Sequence, residues 1–61
     1  MKYETACNKA RQMARKSKDF AYVVYDCDET EYQLATEYDM DTFFFACTPI
    51  IAFDPYGDVA D

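Results

Sequence analysis

The sequence has no histidine, a single glycine and only two prolines. Without histidine, the chain lacks the side chain that most often transfers protons near neutral pH. One glycine, Gly57, cannot supply the glycine-rich loop that surrounds a bound phosphate. No serine or cysteine has an evident base partner in the sequence, and nucleophilic catalysis requires one. We therefore expect a protein that is not an enzyme and that uses no cofactor.

Metal-binding patterns are also missing. The three cysteines, Cys7, Cys27 and Cys47, show no C-x-x-C spacing and there is no histidine beside them, so we expect reduced, buried, small apolar side chains and no zinc site. The acids of residues 26–31 are spaced loosely like those of a calcium-binding EF-hand loop. The glycine and the final glutamate of such a loop are absent, which favours a solvated hairpin tip.

Long apolar runs are absent as well. No uncharged apolar stretch approaches the roughly 20 residues that a membrane span needs. Met1 is followed by a charged amphipathic segment, whereas a secretion signal would have an apolar one. We expect a cytoplasmic protein that is not secreted and does not contact a membrane.

Basic side chains are absent after Lys18. All six lie in the first eighteen residues, together with Glu4, and Asp19 follows directly. The other ten of the twelve acidic side chains share residues 20–61 with no lysine or arginine, and the net charge is −6. Two interpretations stay open. Either a basic helix lies over an acidic sheet and the two attract each other, or the acidic part faces a cationic partner.

The 61 residues are enough for one small domain, residues 1–61. Hydrophobic residues make up 51% of the chain and aromatic ones 18%, which is typical of a chain that folds. A domain of this size buries only about 60% of the surface that its unfolded chain exposes. Self-association or binding to a larger partner would add stability to such a small core.

The spacing of apolar residues predicts the elements. Small or apolar side chains recur with helical periodicity from Tyr3 to Ser17, which predicts a helix at about 3–18 that approaches a sheet closely through its alanines and Cys7. Residues 20–27 are rich in β-branched and aromatic residues, and residues 31–36 alternate polar with apolar, so both are predicted strands of a hairpin. The first of these strands is apolar on both faces. The face away from the helix must then be covered by other chain, by another copy or by a partner.

A second, short helix is predicted near 37–46, because Thr36 suits its N-cap and acids follow in its first turn. The phenylalanines at 43–45 also suit a strand, so this alternative stays open. Residues 50–53 read as a last strand, residues 54–58 as a turn, and the tail as frayed. The predicted fold is α+β: an N-terminal amphipathic helix packed on a small antiparallel sheet of about three strands, in the order α-β-β-α-β.

Residues 21–26 (AYVVYD) and 32–44 (YQLATEYDMDTFF) carry a resemblance. Together with the basic N-terminal helix, this tyrosine-rich strand and the acidic segment after it resemble small acidic proteins encoded by bacteriophages of gut bacteria. The resemblance covers residues 6–54. It implies a phage protein in the cytoplasm of a bacterial host, and it brings no site residues with it.

These observations predict a non-enzymatic binding protein that engages, and inhibits, a host or phage protein with a basic surface. Carboxylates would steer the approach, and tyrosines would anchor the contact at low entropic cost, with Tyr22, Tyr25, Tyr32, Tyr38 and Tyr56 as the candidates. The alternative is that most of these tyrosines fill the core of the small domain. One version is nucleic-acid mimicry, in which carboxylates replace phosphates; direct nucleic-acid binding is not expected of so acidic a chain. The alternative is a structural or assembly protein that forms a homo-oligomer or part of a virion. The predicted partner-binding residues are Tyr22, Tyr32, Tyr38, Asp26, Asp28, Glu29, Glu31, Glu37, Asp39 and Asp41.

Overall fold

The structure, a computed structural model, describes residues 1–42 and 49–60. It has the predicted α+β arrangement in the order α-β-β-α-β. The elements are the helix α1 (Tyr3–Ser17), the strands β1 (Ala21–Asp26) and β2 (Glu31–Thr36), the short helix α2 (Glu37–Thr42) and the strand β3 (Ile51–Phe53). The predicted second helix is thus confirmed over 37–42, and its predicted remainder, 43–46, lies outside the described residues.

Helix α1 packs on the sheet through a stripe of alanines. Ala6, Ala10 and Ala14 have no exposed area, and they form the core with Ala21, Val23 and Phe53 of the sheet. Alanine has only a methyl group beyond the backbone, so the helix axis can come close to the strands. The prediction of a close approach is confirmed. Lys18 ends the helix in a left-handed conformation (φ 57°), and its backbone N–H donates to the carbonyl of Ala14.

Strand β1 is the centre of a three-stranded antiparallel sheet with the order β2-β1-β3. Tyr25 pairs with Tyr32 and Val23 with Leu34 on one side, and Val23 pairs with Ile51 on the other. Directly paired residues point to the same face of a sheet. The face that bears Ala21, Val23 and Phe53 therefore lies under α1.

The opposite face of the sheet bears Val24 and Ala35, and neither has any exposed area in a single copy of the chain. The apolar centre of this second face is therefore covered by the chain itself. The sequence analysis left open whether other parts of the chain, a second copy or a partner cover this face. At Val24 and Ala35 neither a second copy nor a partner is needed.

The C-terminal segment continues the sheet. Val59 pairs with Phe53, and the N–H of Ala60 donates to the carbonyl of Ala52 at 2.9 Å. The predicted turn over 54–58 is confirmed, because the Asp54 carboxylate accepts hydrogen bonds from the N–H groups of Tyr56 and Asp58. The prediction of a frayed tail was wrong for residues 59 and 60, whose backbone is held by β3.

Candidate protein-binding surface

The first group of predicted site residues lies at the β1–β2 hairpin: Asp26, Asp28, Glu29 and Glu31, here called the hairpin acids. Asp26 has a structural role, since its Oδ1 accepts hydrogen bonds from the N–H groups of Asp28 (3.0 Å) and Glu29 (3.2 Å) and so closes the turn. Glu31 accepts from the N-terminal ammonium at 3.0 Å and from Gln33. The side chains of Asp28 and Glu29 are exposed, and within residues 1–42 and 49–60 they make no hydrogen bond.

The second group lies on α2: Glu37, Asp39 and Asp41, here called the α2 acids. Asp39 and Thr36 bond reciprocally, because the N–H of Asp39 donates to Thr36 Oγ1 and the N–H of Thr36 donates to Asp39 Oδ2, both at 3.1 Å. This is a capping box with aspartate in place of the usual glutamate, and it confirms Thr36 as the N-cap. Glu37 and Asp41 are exposed.

The two groups stand at opposite ends of β2. From Glu31 to Glu37 the chain advances six residues, which at about 3.3 Å per residue is about 20 Å. The predicted site residues therefore form two separate acidic areas on one edge strand. A partner that contacts both must extend along the whole of β2.

Direct neutralisation of these carboxylates by the basic helix is not seen in the described part of the chain. There, the single ion pair within 4.0 Å joins the N-terminal ammonium to Glu31, and no lysine or arginine takes part in one. Lys9 and Lys16 are exposed on α1, one heptad apart and away from the buried alanine stripe. The lysines and arginines of the described residues therefore make no direct ion pair with the hairpin acids or the α2 acids.

None of the six tyrosines is fully buried, although filling the core was the ordinary expectation for them. Tyr38 on α2 is 70% exposed. Tyr22 is half-buried, and its hydroxyl donates to Glu37 Oε1 at 2.6 Å. This hydrogen bond, together with burial and the nearby negative charges of Glu37, Asp19 and Asp41, raises the pKa of Tyr22 to about 12. Tyr22 and Glu37 are therefore bonded to each other, whereas the ring of Tyr38 is available to a partner.

An aromatic cluster at the hairpin end was missed as a unit by the sequence analysis. The ring of Tyr32 contacts those of Tyr3 and Tyr25 edge-to-face, each at a centroid distance of 5.2 Å. Tyr3 counted only as a member of the helical stripe, whereas Tyr25 was among the tyrosines expected to anchor a partner, and both are about two-fifths exposed. We call Tyr3, Tyr25 and Tyr32 the tyrosine cluster.

The remaining observations concern other kinds of site. The expectation of buried cysteines was wrong for Cys27, which is exposed because it lies in the turn between β1 and β2, and Cys7 is only half-buried. In the described residues, no group of three or more cysteine, aspartate or glutamate side chains is placed to hold a metal ion. Within the same residues no helix is long and apolar enough to cross a bilayer. Comparison of the chain with protein-family models, with curated proteins and with solved structures finds no match.

Proposed function

We propose that this chain is a non-enzymatic acidic binding protein, a phage accessory protein that engages a host or phage protein through a basic surface on that partner and inhibits it. The observation that carries the proposal is the exposed, unneutralised state of Asp28, Glu29 and Asp41 on a protein of net charge −6. Exposed carboxylates attract a cationic surface over several ångströms and speed its association.

The arrangement of the lysines adds to this support. Because Lys9 and Lys16 lie on the outer face of α1, they do not screen the hairpin acids or the α2 acids by direct contact. An approaching basic protein would be attracted to these exposed acids, and their positions would help to set its orientation at the first encounter.

Nucleic-acid mimicry is a specific version of the same function. Two acidic areas about 20 Å apart along β2 would have to match two phosphate-binding areas on a nucleic-acid-binding partner. If they do, duplex DNA competes with this chain for the captured protein, whereas it does not compete when the contact is of another kind.

The assembly alternative rested on an apolar sheet face in need of a cover. Since Val24 and Ala35 have no exposed area in one copy, that face supplies no argument for a second copy at its centre. The oligomeric state is therefore measured as part of the test by sedimentation. A stable oligomer without any captured partner would favour the assembly function.

The test is capture of proteins from a lysate of gut bacteria on the immobilised chain, with salt titration. We expect a basic protein that is released as salt increases and that is retained less by the double variant Asp28→Asn/Glu29→Gln. The matched control is Lys9→Gln/Lys16→Gln, which also removes two charges but leaves the acids intact, and it should retain the partner at least as well. Capture that is insensitive to salt and to the acid variant would refute the proposal.

A further inference from the structure

The tyrosine cluster is a preformed aromatic surface. Tyr32 packs against the core while Tyr3 and Tyr25 flank it and remain 41% and 39% exposed. The three rings come from α1, β1 and β2, and the direct pairing of Tyr25 with Tyr32 sets their relative position. A partner that contacts these rings would not have to order them first, so little conformational entropy is lost on binding.

The surroundings of the cluster are acidic. The chain segments that carry it, residues 1–4 and 26–31, hold five carboxylate side chains and two amino groups, and one of those amino groups is already paired with Glu31. Asp26 and Glu31 pair next to Tyr25 and Tyr32, so their side chains point to the other face of the hairpin. The exposed carboxylates of Glu4, Asp28 and Glu29 remain for this end of the chain. Aromatic faces attract cations through their quadrupole, and nearby carboxylates strengthen the attraction. Aromatic rings and negative charge together therefore select a cationic side chain over an apolar or an anionic one.

Arginine fits this surface better than lysine. Its planar guanidinium stacks on aromatic rings and is less strongly hydrated than an ammonium, and it can bond a carboxylate with two N–H groups at once. The chain already makes one such contact internally, since the Cζ atom of Arg11 lies 5.1 Å from the centroid of the Phe53 ring.

We infer that the tyrosine cluster is the docking point for an arginine-bearing segment of the partner protein, with the exposed acids Asp28 and Glu29 of the hairpin tip near it. This rests on the proposed function and narrows it. The hairpin end, and not the α2 end with Tyr38, makes the anchoring contact, and Tyr3 and Tyr25 belong to it.

The experiment uses two synthetic peptides of equal length and charge, one alternating glycine with arginine and the other glycine with lysine. Binding is followed by NMR of the tyrosine ring signals of the full chain. We expect the arginine peptide to shift the signals of Tyr3, Tyr25 and Tyr32 and to leave Tyr56 unchanged. We also expect it to bind about two- to fivefold more tightly than the lysine peptide, as for an exposed cation–π contact.

The variant Tyr25→Leu removes an exposed ring and keeps an apolar side chain on β1. This variant should bind the arginine peptide about two- to fivefold more weakly than the wild-type chain does. An unchanged circular dichroism spectrum would show that the variant is folded. The matched control is Tyr56→Leu, which removes a ring that is 79% exposed in the C-terminal turn and should leave the affinity unchanged.

The outcomes separate the inference from the proposed function. If both peptides bind with equal affinity, or if the largest signal shifts are at Tyr38, the tyrosine cluster is not the docking point. The proposed binding of a basic protein would still stand. If the wild-type cluster signals do not move and Tyr25→Leu binds like wild type, the inference fails in the same way. If neither peptide binds at low salt and the chain captures no basic protein, the proposed function fails with it.

Discussion

The Arg15 side chain lies directly against Gly57, across the space between α1 and the C-terminal turn. Its Nε donates a hydrogen bond of 3.0 Å to the carbonyl of Tyr56, and a Cβ atom added to Gly57 would overlap this same nitrogen. Gly57 also has a φ of +86°, a backbone conformation that residues with a Cβ atom rarely adopt. The single glycine of the chain is therefore favoured by its own backbone conformation, and a side chain in its place would displace the end of the Arg15 side chain from its hydrogen bond.

Gly57→Ala should lower the free energy of unfolding by about 1–3 kcal/mol, from backbone strain and from displacement of Arg15. Urea unfolding followed by circular dichroism measures this. In an Arg15→Ala background the overlap with Nε is gone, so the same substitution should cost less. An equal cost in both backgrounds would show that the contact with Arg15 contributes nothing.

Ala10→Leu should destabilise the fold by about 1–3 kcal/mol, because a larger side chain must be inserted where α1 meets the sheet. Because Ala10 has no exposed area, either the helix must move away from the sheet or the leucine side chain must take an unfavourable rotamer. The control is Gln12→Leu, an exposed position on the same helix, where we expect a change within about 0.5 kcal/mol. Equal thermal midpoints for the two variants would mean that the packing of α1 is misassigned.

Val24→Asp should unfold the chain, because an unpaired carboxylate at a position with no exposed area costs as much as the roughly 3–5 kcal/mol that a core of this size supplies. Val59→Asp makes the same substitution at a valine that is 54% exposed and should leave the chain folded. Circular dichroism and size-exclusion chromatography distinguish the outcomes. A Val24→Asp chain that stays folded but changes its oligomeric state would restore the second face as an assembly surface.

The free energy of unfolding should fall at alkaline pH because the Tyr22 hydroxyl loses its proton. Its pKa is raised from 10.0 to about 12 in the folded chain, mainly by the hydrogen bond to Glu37, so folding favours the protonated hydroxyl. The contribution of the Tyr22–Glu37 hydrogen bond to the free energy of unfolding is fully present below pH 10 and is lost as the pH rises toward 12. Tyr22→Phe should cost about 1 kcal/mol at neutral pH, and its difference from wild type should shrink near pH 12.

The matched control for this pH dependence is Tyr38→Phe, which removes the hydroxyl of a tyrosine that is 70% exposed. Its unfolding free energy should follow that of wild type at every pH. A constant difference between Tyr22→Phe and wild type across the alkaline range would mean that the Tyr22–Glu37 bond does not hold the proton.

Much of the fold could be predicted because its signals are local. The alanine spacing of α1 and the Thr36–Asp39 cap each depend on residues at most one or two helical turns apart. The candidate surface was predicted less well. Asp26 was predicted to bind a partner, yet its carboxylate accepts two backbone hydrogen bonds in the hairpin turn, a role that is common for aspartate at this position of a turn. Asp39 was predicted both as a binding residue and as an acid in the first turn of α2, and its carboxylate is engaged in the cap.

The sequence by itself determined which segments become helix and strand, where α2 begins, and that the basic and acidic side chains are divided between the N-terminal helix and the rest. Periodicity, capping and composition act over a few residues, so they can be read along the chain. Only the tertiary structure decided that Tyr3 meets Tyr32, that Arg15 meets Gly57, and that the acids form two areas at the ends of β2. These contacts depend on the direction in which α1 crosses the sheet and on the strand order β2-β1-β3, which arise from packing of the whole chain.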